Sequence, residues 1–259
     1  MVDNIYKWDV SVFNDSIIIR QIKTFTDLFI HLSDWPSIGD YVDIFKNSNH
    51  QIIPVAQSTV INSFDDQYEP RVYLKNELQT RTQNWHDFFN SIIWLKFPQT
   101  KKALNTLHYQ QAIKRRKGSN RSTLENRITQ FDECGAVIIT NNRDLLELIR
   151  NHQWQELFID HRDDFKENLK CVIFGHAIFE KSLDPYIGMT CHCLLIESEE
   201  LLDDIKNDEF TNLDIKVASI WKNKIASEPK KLAALPILGI PNYWHVQDEL
   251  FYKNTKYFR

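Results

Sequence analysis

Histidine, aspartate and glutamate side chains sit at four places in this chain where their spacing permits proton transfer or metal ligation. In NWHDFFN, His86, Asp87 and Asn90 fall within about one helical turn, with Ser91 beside them. They lie opposite an apolar stripe of Trp85, Phe88, Phe89, Ile92 and Leu95. An imidazole, a carboxylate and an amide on one arc can ligate a metal or move protons. A polar helix face turned to water explains the same residues, although Trp94 in the middle of the arc argues against full solvation. In GHAIFEK, His176 and Glu180 are i,i+4 neighbours on a helix that opens directly after a strand and Gly175. Ligand sites in open α/β sheets collect at such strand ends. Asp132 and Glu133 close an extended run before Cys134-Gly135. On a strand their side chains point to opposite faces, so at most one joins a given site. His192 interrupts the apolar strand MTCHCLLIE between Cys191 and Cys193, which share the other face.

His86, Asp87, Asp132, Glu133, His176, Glu180 and His192 therefore form the candidate catalytic set. His86, His176, His192, Asp132 and Glu180 are the candidate ligands for a divalent metal of the Zn, Mn or Fe type. Arg81, Asn90, Lys101 and Asn105 are candidate substrate contacts, with Arg81 and Lys101 receiving an anionic group. The expected chemistry is hydrolysis of a phosphate or acyl bond, metal-assisted or by acid–base catalysis alone. It requires the fold to gather these residues in one partly dry pocket. The cysteines read as small packing residues, because strand alternation cannot place Cys191, His192 and Cys193 on one zinc. A second reading is noncatalytic: KRRKGSNR, residues 114–121, packs five cations into eight positions and would contact RNA or another anion. A solvated loop explains that segment as well. A third is a partner-binding protein using the aromatic C-terminal tail.

The elements that must position these residues follow from hydrophobic period and breakers. Ile22, Phe25, Leu28, Phe29 and Leu32 have helical spacing, and Ser33 or Asp34 can cap a second helix carrying Ile38, Tyr41, Val42 and Phe45. Residues 50–61 look extended, 62–70 read as a polar loop, and RVYL as a short strand. A helix runs from about Asn84 to Phe97 and stops at Pro98; another runs from about Thr100 to Lys117. Residues 128–140 read as two extended pieces around Cys134-Gly135, KCVIF (170–174) and 189–197 as strands, and 143–150, 152–158 and 213–226 as helices. The expected fold is α+β, a mixed sheet flanked by helices, with α/β as the alternative. One domain covers 1–259, with a helical N-terminal region at about 20–47 and an irregular aromatic tail at about 232–259.

Composition narrows the function classes. The 259 residues carry a net charge of −4, which disfavours a dedicated duplex-DNA binder. No apolar stretch reaches the ~20 residues of a membrane span, and MVDNIYKWDV lacks the pattern of a secretory signal. Four cysteines are too few for a disulfide scaffold, so a reducing cytoplasm is expected. With six glycines the chain contains no GxGxxG, GxxxxGK[ST] or GxSxG, which removes dinucleotide, P-loop and nucleophile-elbow readings.

Several segments together resemble a bacterial family known as domain of unknown function 3025: DWPSI, YEPRVY, TRTQNWHDFFNSIIWLKFPQTKKALN, QFDECGA, FGHAIFEK, GMTCH, and LPILGIPNYW followed by FYKNTKYFR. They occur in the family's order over about residues 34–259. The resemblance implies no particular activity. It does imply that His86, Asp87, Asn90, Lys101, Asn105, Asp132, Glu133, His176, Glu180 and His192 fall in the family's motif blocks. Small residues stand in the family where this chain has cysteines, in keeping with packing. GIPNYW replaces a family GIPGxW pattern.

Overall fold

A computed structural model describes residues 7–115, 120–229 and 231–259. Helix α1 (Ile38–Asn47) opens on a Ser37/Asp40 capping box, beyond the expected cap at Ser33 or Asp34. Strand β1 (Ile53–Ala56) pairs in parallel with β2 (Glu77–Thr80), and helix α2 (Tyr68–Lys75) connects them. Next come α3 (Trp85–Lys96), α4 (Pro98–Lys114) and α5 (Thr123–Cys134). After α5 the chain alternates: β3 (Gly135–Thr140), α6 (Arg143–Arg150), β4 (Leu169–Ile173), α7 (His176–Lys181), β5 (Thr190–Glu197), α8 (Glu199–Lys206), α9 (Thr211–Ile220) and β6 (Ala233–Pro236).

The main sheet has the order β4-β3-β5-β6. β3 runs parallel to β5, in register Gly135 to His192, and antiparallel to β4, in register Ala136 to Ile173. β6 closes the other edge antiparallel to β5. All six residues of β3 are buried, as expected for a strand covered on both faces. Mixed pairing and the helices stacked around it make this an α+β fold.

Three expected elements differ. RVYL lies in helix α2, where its register buries Pro70 and Val72, and residues 128–134 are the last turns of α5, not strand. Leu124, Ile128 and Phe131 are the buried stripe of α5, spaced at a helical period that the β-branched run after Gly135 obscures. At residues 20–32 the helical spacing is realised only as short turns. Gly135 is required where α5 turns into β3: a Cβ there would stand 2.2 Å from the Phe131 carbonyl oxygen. The aromatic tail packs into the main core, with Tyr252, Tyr257 and Phe258 buried, and Tyr257 Oη donating to the Met189 carbonyl at 2.7 Å. None of the helices among the described residues is long and apolar enough to cross a membrane.

Candidate metal centre in an acid-lined cleft

Helix α3 is buried all round except at His86. Asn84 caps it by accepting from the Asp87 N–H at 3.0 Å. Trp85 anchors its start, stacked between Trp8 and Phe89 at 5.3 and 5.6 Å. One turn on, Phe89 stacks on Phe179 of α7 at 5.9 Å. These rings hold α3 and α7 side by side, so the residues three positions earlier on each, His86 and His176, meet.

His176 reaches that place through a close backbone crossing. At the end of β4 the Phe174 and Gly175 N–H groups both donate to the Gly135 carbonyl. A Cβ on Gly175 would lie 2.4–2.6 Å from backbone atoms of Gly135, Glu133 and Cys134. Only glycine lets α7 start against the end of α5, which puts His176 beside Glu133.

The Nε2 atoms of His86 and His176 are 3.0 Å apart, and Glu133 Oε2 is 3.6 Å from His176 Nε2. The three donor atoms lie within 4.8 Å of one another. Metal–ligand bonds of about 2.1 Å set neighbouring donors about 3.0 Å apart at octahedral angles and about 3.4 Å apart at tetrahedral ones. The far side of His86 is held by Glu180, whose Oε2 is 3.0 Å from Nδ1. That contact keeps a proton on Nδ1 and aims the Nε2 lone pair at His176. It is also the leading cause that raises the His86 pKa. His176 is fully enclosed, and burial pushes its pKa down to about 3. Its ring is therefore neutral at neutral pH. Its Nδ1 is buried without a hydrogen-bond partner, while the Asp132 backbone carbonyl favours a proton on the ring. The two Nε2 atoms are placed side by side, where they can share one proton or bind one cation.

The site opens into a cleft of about 480 Å³ lined by Tyr68, Glu69, Arg81, Asn90, His108 and Asp132, among others. Asp132 and Glu133 occupy the last helical turn of α5, so about 100° separates them, not the 180° of a strand, and both line the cleft. Asp132 is not a ligand here, because its Oδ1 accepts from Lys101 Nζ at 2.6 Å. Burial opposes its charge, but Lys101, His176 and His108 together outweigh that and hold its pKa low. Burial raises the pKa of Glu133, and the neighbouring Asp132 adds to the rise.

Of the five expected ligands, His86 and His176 meet; Glu133, expected only as an acid–base group, completes the trio. Glu180 orients His86 from behind. His192 lies elsewhere: its pKa is lowered by burial and by the positive charges of Arg127, Lys231 and Lys181, the opposite of a cation's surroundings. The four expected substrate contacts each make bonds within the chain, and Arg81 and Asn90 line the cleft. Lys101 also donates to Asn90 Oδ1 at 2.9 Å, Asn90 Nδ2 donates to Tyr68 Oη at 2.7 Å, and Arg81 forks onto Asp87 at 3.0 and 2.8 Å. Asn105 donates to the Glu69 carboxylate at 2.6 Å. In the basic segment, residues 116–119 lie outside the described residues, while Arg115 is bonded to Glu125 and Arg121 reaches the cleft. Sequence reasoning missed Glu69, Tyr68 and His108. The signal was present in α4, where Lys101, Asn105, His108 and Ala112 follow the helical period and are all buried.

A family model described as "Protein of unknown function (DUF3025)" matches residues 53–259. The chain belongs to the DUF3025 family. The matched span includes every residue of the centre and of the cleft wall just described. No curated protein and no solved structure matches this DUF3025 protein.

Proposed function

We propose that this protein is a metal-dependent hydrolase whose ion is held by His86, His176 and Glu133. The observation that carries this reading is the convergence of two imidazole Nε2 atoms and one carboxylate within 4.8 Å of one another, with Glu180 bonded to His86 from behind. A two-imidazole, one-carboxylate set suits Zn, Mn or Fe and leaves coordination positions open towards the cleft. A bound ion would acidify water and polarise the scissile group. Hydrolysis then joins the water oxygen to the electrophilic atom, breaks the bond to the leaving group and passes one proton to it. The chain's part is to keep His176 neutral by burial, to hold His86 on Glu180, and to keep the Lys101–Asp132 pair from competing for the ion. Of the phosphate and acyl classes the acyl class is favoured, because Lys101 and Arg81 are already bonded to Asp132 and Asp87.

The metal-free reading rests on the same contacts: the Glu180–His86–His176 chain would act as a proton relay, favoured by the raised pKa of His86. The test is metal analysis of protein purified without chelator, with thermal melting before and after chelation. About one ion per chain and a chelator-sensitive melt are expected, both lost in His86→Ala and His176→Ala. Failure of Zn, Mn and Fe(II) to bind or to shift the melt overturns the metal assignment and leaves the relay.

A further inference from the structure

Ten residues beyond His86, about 15 Å along the axis of α3, Lys96 ends that helix against a different cavity. The cavity has a volume of about 740 Å³, a size that suits a small organic molecule. Lys96 lines it, with Phe25, Leu95, Phe210 and Ile215 as apolar walls. Its Nζ donates to the Gln21 carbonyl at 2.5 Å and lies 3.5 Å from the centre of the Phe210 ring. Gln21 and Phe210 line the same cavity, so the amine sits at its wall. Among the described residues no carboxylate is at ion-pair distance from Nζ, and no group donates to it. Burial pushes the Lys96 pKa down to about 7 against the offsetting charge of Asp208, so a large share of these amines is unprotonated at neutral pH. An unprotonated amine has two N–H groups and one lone pair. The Gln21 carbonyl and the Phe210 face receive the N–H groups, which leaves the lone pair free. A lysine desolvated in this way is a nucleophile towards carbonyl carbon.

We infer that Lys96 forms a reversible imine with an uncharged aldehyde or ketone held in this cavity. Nζ bonds to the carbonyl carbon, the carbon–oxygen bond breaks, and the oxygen leaves as water with the two amine protons. No electrons change hands. The walls decide the class of carbonyl compound. Besides Lys96, the ionisable groups that line the cavity are Asp208, Glu209 and Asp214, all acids. Asp214 is engaged by the backbone, accepting from the Gln99 and Thr100 N–H groups at 2.8 Å. A 2-oxo acid would bring its own carboxylate among Asp208 and Glu209, whereas an alkyl chain suits the apolar walls. When the imine takes up a proton, the Phe210 face and the charge of Asp208 offset it. The site is separate from the metal centre and does not rest on the hydrolase reading.

The test incubates the full-length protein at pH 7 with propanal and sodium cyanoborohydride, which delivers hydride to the imine carbon and fixes it as a secondary amine. Peptide mass spectrometry reads the rate of modification at Lys96 against the rates at the exposed Lys46, Lys102 and Lys222 of the same molecules. Lys96 should react about 10-fold faster or more, since an ordinary lysine amine is almost wholly protonated at that pH. In the chain unfolded by urea the preference should vanish. Glyoxylate, an aldehyde that carries a carboxylate, should lose most of the preference in the folded protein; the comparison among lysines of one chain cancels the reagent's own reactivity. Equal rates at Lys96 and at the exposed lysines, or a preference that persists in the unfolded chain, overturns the inference. A preference as large with glyoxylate as with propanal overturns the assignment to an uncharged carbonyl compound.

Discussion

The run WLKFPQTK carries two buried lysines five positions apart, one on each side of Pro98, and they live in opposite surroundings. Lys101, with its side chain 4% exposed, meets the Asp132 carboxylate at 2.6 Å and Asn90 at 2.9 Å. Lys96, 6% exposed, has no carboxylate at bonding distance among the described residues: its Nζ donates to the Gln21 carbonyl at 2.5 Å and lies 3.5 Å from the centre of the Phe210 ring. Burial pushes the Lys96 pKa down to about 7, and the charge of Asp208 offsets that only in part. Residue type, local sequence and burial are alike, so the counter-charge alone decides what each amine is. Lys101 ties the acidic wall of the cleft together through Asp132 and Asn90. Lys96 is a titrating group lodged between a carbonyl and an aromatic face.

The sharpest way to break this comparison is to remove the counter-charge. Asp132→Ala would leave the Lys101 ammonium buried and unpaired, which costs about 3–5 kcal/mol. Lys96→Met, which replaces an unpaired amine by an apolar chain of similar volume, should change stability by less than about 1.5 kcal/mol. Urea denaturation midpoints at pH 7 measure both. The double variant Lys101→Met with Asp132→Leu should recover part of the loss, since no charge is then stranded. Equal losses in Asp132→Ala and Lys96→Met would show that the two lysines are not energetically distinct.

Glu180 separates binding from folding in the polar network around the cleft. Glu180 is 40% exposed and touches the centre only through His86. Glu180→Gln should therefore lower metal affinity by about 10–100-fold, as loss of such an orienting partner does, with little change in the urea midpoint. Metal titration monitored by calorimetry reads the first quantity. A variant that binds metal like the parent would reduce Glu180 to a surface acid.

How much of this was legible in the sequence depends on which physical signal a residue leaves. The strands at 169–173 and 190–197 and the helices around His86 and Lys101 follow from apolar period and from Pro98. The meeting of His86 with His176 was expected from residue type, but its cause was not readable: it is the crossing at Gly175 and the Phe89–Phe179 stack, both made by residues far apart in the chain. Asp132 and Glu133 were assigned to a strand because the β-branched residues after Gly135 dominate that window. The helix ending at Cys134 reverses the conclusion about which of the two can join the site. Glu69 and His108 escaped because a buried polar residue on a helix looks, residue by residue, like an exposed one. Only the burial of the α4 stripe sets His108 apart. His192 stood out as a polar break in an apolar strand, but strand pairing places it opposite Gly135 and in the field of cations.

The smallest of these effects follows from the lowered pKa of Lys96. In the unfolded chain its amine returns to the ordinary value of 10.5, so between pH 7 and that value the unfolded state binds more protons than the folded one. By linkage, this group makes stability rise with pH over that window, whereas a salt-bridged lysine would make it fall. Other groups titrate there too: the buried thiols of Cys171, Cys191 and Cys193, with pKa values raised by burial, make stability fall as the unfolded chain's thiols ionise. The readout is therefore a difference. Between pH 7 and 8.5 the stability of the parent should gain on that of Lys96→Met by on the order of 1 kcal/mol. Parallel curves for the parent and Lys96→Met would mean that the Phe210 ring and the Gln21 carbonyl stabilise the ammonium as fully as a carboxylate does, and the distinction between the two lysines would collapse.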